Sequence, residues 1–169
     1  MIRILTDSTS DLSQDIIGKY GILVTPLHVY LGDEEYIDGV NISPEEIYSW
    51  SDASHSTPTT SAPAISDVAK IFGEYSDDQF ICFSISSEMS TTGNVMHLAA
   101  DEAGRTDDIT VIDSRNLSTG IGHLLVEAAV MSEKNKSVNE ITDYIYDLIP
   151  RVQASLVVNT LTFLYRGGR

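Results

Sequence analysis

Short apolar runs alternate with stretches of helical period along the chain. Ile2–Thr6 is a β-rich run, followed by polar Asp7–Asp11. Leu12–Tyr20 then places Leu12, Ile16 and Tyr20 on one helical face. Ile22–Leu31 is apolar and β-branched but contains Pro26, which predicts an edge position or a bulge. Gly32–Glu35 turns back into Tyr36–Ile37, predicting a small hairpin. Ser43–Glu46 reads as an N-cap, a proline at the first helical position and an acidic first turn, opening a helix through Trp50. Ser51–Ser61 reads as a loop rich in Ser and Thr, and Pro63 starts a helix to about Tyr75.

The second half repeats the alternation more regularly. Phe80–Ile85 and Ile109–Ile112 are continuous apolar runs, the pattern of strands covered on both faces. Helices are predicted after the polar Ser86–Thr92 stretch to about Ala103, from about Thr119 to Glu133, and from the capping box Ser137–Glu140 to about Val152. Ala154–Thr160 reads as a last strand. The fold class is therefore α/β, a mainly parallel sheet flanked by helices. In such sheets ligands bind outside the carboxyl ends of the strands, so the loops after the strands are where function is sought. Leu164–Arg169 holds a Gly-Gly turn flanked by arginines, which reads as a lead into another element. The expectation is one domain over residues 1–169, with a second domain absent from this chain.

Charge narrows the function classes. The 169 residues carry 10 Lys and Arg against 25 Asp and Glu, a net charge of −15. Before Arg105 the only Lys or Arg residues are Arg3, Lys19 and Lys70. A phosphate-backbone binder needs a basic face, so nucleic acid is not an expected partner. Stable membrane insertion is not expected either, since no apolar run approaches the roughly 20 residues of a span. The first residues do not read as a signal peptide, because polar positions begin at Thr6. The expected location is cytoplasmic. One cysteine, Cys82, excludes a disulfide framework within these residues and a multi-cysteine zinc site. It sits mid-strand and reads as a small core side chain.

Candidate chemistry concentrates in hydroxyl-rich loops: Asp7–Asp11, Ser86–Thr92, Asp113–Ser114, and Ser56–Ser61 before a helix. Hydroxyls and helix N-terminal N–H groups are neutral donors suited to a carboxylate or phosphate. The same residue types are also ordinary caps and turn formers. Asp7 with Ser8 and Thr9 fits poorly both a Mg²⁺-binding adhesion pattern and an aspartate-based phosphatase, and Asp11 reads as a helix N-cap. His28, His55, His97 and His123 lack metal-ligand spacing, and no metal or cofactor is expected. Two enzyme-type alternatives stay open: a metal- or phosphate-dependent enzyme using Asp7 and the hydroxyl loops, and a phosphocarrier using His55.

Five stretches in order give a resemblance: Ile4–Leu12, Pro58–Pro63, Ile85–Ser90, Val111–Ser114 with Ser118–Gly122, and Asn159–Leu161 with Leu164–Arg169. The chain resembles the DegV family of bacterial fatty-acid-binding proteins, the FakB-type partners of a fatty acid kinase. It departs from the usual pattern at Ala62, where glutamine is usual, and at Ser90–Gly93, where the pattern is Ser-Gly-Thr-Tyr. The resemblance implies a carrier rather than an enzyme. Such a carrier buries a long-chain fatty acid between two domains. It presents the carboxyl group to a separate kinase, which makes the acyl phosphate for phospholipid synthesis. Thr60 and Ser90 fall on the carboxyl-binding positions. Ser61, Thr91, Thr6, Asp7 and Ser8 are expected close to the ligand, and Arg166 and Arg169 near a domain junction.

Overall fold

The computed structural model describes residues 1–158 and 160–166. In chain order, β1 (Ile2–Asp7), α1 (Gln14–Tyr20) and β2 (Leu23–Thr25) come first. β3 (His28–Leu31), β4 (Glu34–Ile37), α2 (Pro44–Ser54) and β5 (Thr59–Ser61) follow. Then come α3 (Ile65–Glu74), β6 (Gln79–Ser84), α4 (Thr92–Glu102), β7 (Ile109–Asp113), α5 (Thr119–Glu133) and α6 (Val138–Leu148). A short helix, α7 (Thr162–Arg166), stands last. The chain divides into two units: Met1–Thr25 with Ala62–Ala154, and Pro26–Ser61 with the residues from Ser155 onward.

The larger unit is the expected α/β fold. Its four strands run parallel in the order β2-β1-β6-β7. Leu5 pairs with Cys82, and Phe80 with Ile109. Successive strand residues face opposite sides of the sheet. Ile4, Ile81, Phe83 and Ile112 pack with Ile121, Leu124 and Leu125 of α5 and Ile141 and Ile145 of α6. Leu5, Phe80, Cys82 and Ile109 pack on the other face with Val68 and Phe72 of α3 and Met96, Ala99 and Ala100 of α4. Both faces are thus covered, which is why these strands read as continuous apolar runs. Burial pushes the Cys82 thiol well above its ordinary pKa, consistent with its reading as a core side chain.

The smaller unit is an antiparallel sheet in the order β4-β3-β5. Val29, Leu31 and Ile42 form its core, backed by Tyr36, Ile47 and Trp50. Gly32 makes the hairpin turn at φ 67°, a left-handed conformation that favours glycine. Ser43 caps α2, Pro44 stands at its start, and Glu46 returns a bond to the Ser43 N–H to complete a capping box.

Four expectations are corrected. Ile22–Leu31 is two strands in two sheets, because Pro26 lacks the N–H a continuous ladder needs. The Ser51–Ser61 loop contains the end of α2 and an edge strand, β5. No strand forms in 154–158 or at 160 among the described residues. Leu156 and Val157 there are 64% and 97% exposed, so the β-branched composition finds no sheet to join. Asp11 is not an N-cap: it takes the left-handed conformation at φ 50° after a 3₁₀ turn, and Ser13 caps α1 instead. Asn159 and residues 167–169, including Arg169, lie outside the described residues.

Candidate functional site

From β1 the chain passes to β2 on one side of it, and then to β6 on the other. The order therefore reverses between β1 and β6, and their carboxyl ends form the switch point where α/β sheets place ligands. Three loops meet at this edge, and all belong to the larger unit.

Asp7 holds the switch point together. One carboxylate oxygen accepts the Thr9 N–H at 3.0 Å and also the Thr9 hydroxyl. The other accepts the Ile85 N–H at 3.0 Å, tying the end of β1 to the end of β6. Burial pushes the Asp7 carboxyl up, and the bonds from Thr9 and Ile85 pull it only part of the way back. With both oxygens turned to protein donors, Asp7 is a clamp rather than a ligand-facing group. Thr6 is wholly buried, and its Oγ1 has no hydrogen-bond partner among the described residues. It lies two positions beyond Ile4, on the sheet face that carries α5. Ser8 begins the 3₁₀ turn and is half-buried.

The loop after β7 is clamped in the same way. Asp113 accepts the Ser87 N–H at 3.2 Å, the Ser87 hydroxyl at 2.6 Å and the Arg115 N–H at 2.9 Å. Burial alone would raise this carboxyl, but the bonds from Ser87 and Arg115 hold it below its usual range. The Ser86 N–H donates to the Asn116 carbonyl at 3.0 Å, and the Ser118 N–H to the Thr9 carbonyl at 3.0 Å. Gly120 lies so close to Asn116 that a Cβ there would stand 2.0 Å from its Oδ1. The sequence does not single out Asn116, and it marks Thr92 only as the last residue of the Ser86–Thr92 hydroxyl loop. The Gly120–Asn116 approach is the kind of contact that an isolated glycine signals without naming its partner.

These clamps fix the loop that carries Ser90. The Ser90 N–H donates to the Ser86 carbonyl at 3.2 Å. Ser90 Oγ accepts the Thr92 N–H at 3.3 Å and stands 2.9 Å from Thr92 Oγ1. Ser90 is half-buried, Thr91 is exposed and Thr92 is fully buried at the start of α4. Gly93 lets that helix start lie against β6, where a Cβ would be 3.0 Å from Ser84 Oγ. The first turn of a helix leaves N–H groups without intrahelical partners, so the edge beside Ser90 is rich in neutral donors. An acceptor with negative charge suits it.

Thr60 and Ser61 lie in the smaller unit, on the edge strand β5. Thr60 pairs with Val29 and Ser61 with His28. Directly paired residues share a face and successive ones alternate, so Thr60 and Ser61 face opposite sides of that sheet. Ser61 Oγ stands 3.5 Å from the Tyr30 hydroxyl, on the face where His28 and Tyr30 both contact Glu35. Arg166 ends α7. His55 is the exposed left-handed residue that ends α2. Among the described residues no group of three or more His, Cys, Asp or Glu could hold a metal, and no helix is long and apolar enough to cross a membrane.

Residues 1–169 match the family described as "Uncharacterised protein, DegV family". A DegV domain-containing protein of Caldanaerobacter subterraneus is 36% identical over 99% of this chain and 60% of its own length. Among solved structures, a DegV family protein of Thermus thermophilus, described by its fatty-acid binding, is 35% identical with a TM-score of 0.89. That likeness covers 99% of this chain and 60% of the Thermus protein. A stearic-acid-binding protein of Eubacterium ventriosum is 26% identical with a TM-score of 0.79, over 86% of this chain and 52% of that one. This chain thus spans about 60% of the length of the curated relative. With the family matched from the first residue to the last, and the parallel sheet shared with solved relatives, the chain belongs to the DegV family.

Proposed function

We propose that this chain binds a long-chain fatty acid, with its carboxyl group held by the hydroxyl of Ser90. The carrying observation is Ser90: a half-buried hydroxyl at the carboxyl edge, held by clamped loops, in a chain 35% identical to a fatty-acid-binding DegV protein. That Thr60 falls on a carboxyl-binding position rests on the family motif. The role of the protein is then that of a cytoplasmic carrier, which presents the carboxyl group to a separate fatty acid kinase and performs no chemistry itself. Neutral donors suit such a hand-over, since a buried arginine clamp would hold the carboxylate more tightly. Both carboxylate oxygens of Asp7 accept protein donors, which argues against the alternative of an enzyme that uses it on a metal or phosphate.

The tail sets the affinity. Burying it contributes about 0.8 kcal/mol per CH₂, on the order of 10 kcal/mol for a long chain, against roughly 1–3 kcal/mol for hydroxyl bonds to the carboxyl group. We propose that residues 1–169 supply the head-group side and that a further domain supplies a wall for the tail. The greater length of the relatives supports this reading. Lipid extraction and native mass spectrometry of the purified protein test fatty-acid binding directly. Titrating oleate into residues 1–169 and into the Caldanaerobacter relative tests the second wall. Weak binding by the first and tight binding by the second is expected, and equal tight binding would remove the need for a further domain. Acyl-phosphate formation from the loaded carrier with added fatty acid kinase tests the presenting role.

A further inference from the structure

The hydroxyl assigned to the ligand is itself oriented by a neighbour. A serine hydroxyl has one proton and two acceptor lone pairs. Ser90 Oγ already accepts the Thr92 N–H, and the Thr92 hydroxyl lies 2.9 Å away. Either oxygen could donate across that short distance, but the two choices differ in cost. Thr92 is fully buried, and its Oγ1 has no second partner among the described residues. If Ser90 donated, the Thr92 proton would be buried without an acceptor, which is the expensive arrangement. If Thr92 donates, both lone pairs of Ser90 are filled and the unpaired proton belongs to the half-buried Ser90.

We propose that Thr92 is a positioning residue: it fixes Ser90 as a hydrogen-bond donor, so that the head group bound there must be an acceptor, a carboxylate above all. The proposal rests on the reading that Ser90 holds the carboxyl group of a fatty acid. Gly93 supports it. Without a Cβ, this residue lets the start of α4 lie against Ser84, which keeps Thr92 buried and its hydroxyl turned to Ser90. A bond from Ser90 to a charged acceptor is stronger than one to a neutral acceptor. Losing the orientation therefore weakens a carboxylate more than an alcohol of the same chain length.

The test measures binding of oleate and of oleyl alcohol to the full chain carrying Thr92→Val, Thr92→Ser, Ser90→Ala, or Ser90→Ala with Thr92→Val. Thermal melts check folding, and Thr92→Ala replaces Thr92→Val if that variant does not fold. Thr92→Val is expected to weaken oleate by about fivefold, the scale of one net hydrogen bond, and oleyl alcohol by less. Thr92→Ser should restore oleate binding. In the Ser90→Ala background Thr92→Val should add nothing, because the orientation then has no hydroxyl to act on. Equal loss for acid and alcohol, or a further loss in that background, would show a packing role and overturn the proposal. Thr92→Val without effect where Ser90→Ala weakens oleate would overturn the positioning role and leave the site intact. Ser90→Ala without effect would overturn the site itself.

Discussion

The two units solve the problem of burying a sheet in different ways. The parallel sheet is covered on both faces, by α5 and α6 on one side and α3 and α4 on the other. The antiparallel sheet covers one face, around Val29, Leu31 and Ile42, and ends in a three-residue edge strand that is exposed throughout. The same contrast divides the two residues on the family's carboxyl-binding positions. Ser90 sits on a loop held by two buried or half-buried aspartates, whereas Thr60 sits on β5, which among the described residues pairs with β3 alone. Local stability follows buried apolar contacts, so the two hydroxyls stand on supports of unequal stiffness.

The largest test of this contrast is a core deletion. Phe83 is fully buried in the parallel unit, and Phe83→Ala should cost about 3–5 kcal/mol in denaturant melts. In the unaltered protein, native-state hydrogen exchange should show the β3–β5 amides opening well below the free energy that opens β1 and β6. Equal protection of the two sheets would erase the distinction.

Next in size is the clamp at the switch point. Asp7→Asn keeps the shape of the side chain but replaces one acceptor oxygen with an NH₂ group, facing either the Thr9 or the Ile85 N–H. It should lose about 1–3 kcal/mol, the cost of leaving a buried donor unpaired. Ser90 loading should fall with it, because the post-β6 loop is no longer tied to β1. A variant with unchanged stability would show that the carboxylate is not what joins the two strand ends.

Smaller still are the hydroxyls. Ser90→Ala should weaken oleate by about fivefold while moving stability by less than about 0.5 kcal/mol, and the family motif implies the same for Thr60→Ala. Ser61→Ala should leave binding unchanged, because Ser61 shares the face of His28 and Tyr30 while Thr60 shares that of Val29. Loss with Ser61→Ala and none with Thr60→Ala would put the ligand on the other face of β5.

How much was legible in the sequence follows the same division. Strands buried on both faces write uninterrupted apolar runs, so β6 and β7 were readable within a residue or two, and α5 ran from Thr119 to Glu133 as read. The antiparallel unit was harder. Pro26 reads as an edge position or a bulge within one run, because local pattern shows that a ladder breaks but not that the chain changes sheets. β5 was invisible because Thr59, Thr60 and Ser61 carry no apolar alternation. At the site, spacing alone indicated hydroxyl loops at the right edge of the sheet. Ser90 came from the family resemblance, and the clamping role of Asp7 came only from the structure. The bond from the Ile85 N–H to Asp7 joins residues 78 positions apart, which no local pattern encodes.

The smallest expected effect compares two copies of one local device. Each unit has a helix opened by a capping box, Ser43 with Glu46 on α2 and Ser137 with Glu140 on α6. In both, the glutamate accepts the serine hydroxyl and the serine N–H, and these bonds favour the charged carboxylate. Glu140 has a further donor, the Lys136 ammonium at 2.8 Å, and its carboxyl is held down to about 2 against an ordinary value of 4.5. Glu46 is lowered by the Ser43 bonds alone. A carboxyl whose pKa is lower in the folded state contributes stability above its unfolded pKa and loses it as pH falls through the folded value. The α6 cap should therefore survive acidification from 4.5 down towards 2, whereas the α2 cap is lost at a higher pH within that window. Carbon NMR of the two side-chain carboxyls during acid titration measures both directly. Lys136→Met should raise the Glu140 midpoint towards that of Glu46 and leave Glu46 where it was. Coincident midpoints in the unaltered protein would show that the lysine adds nothing to the capping box.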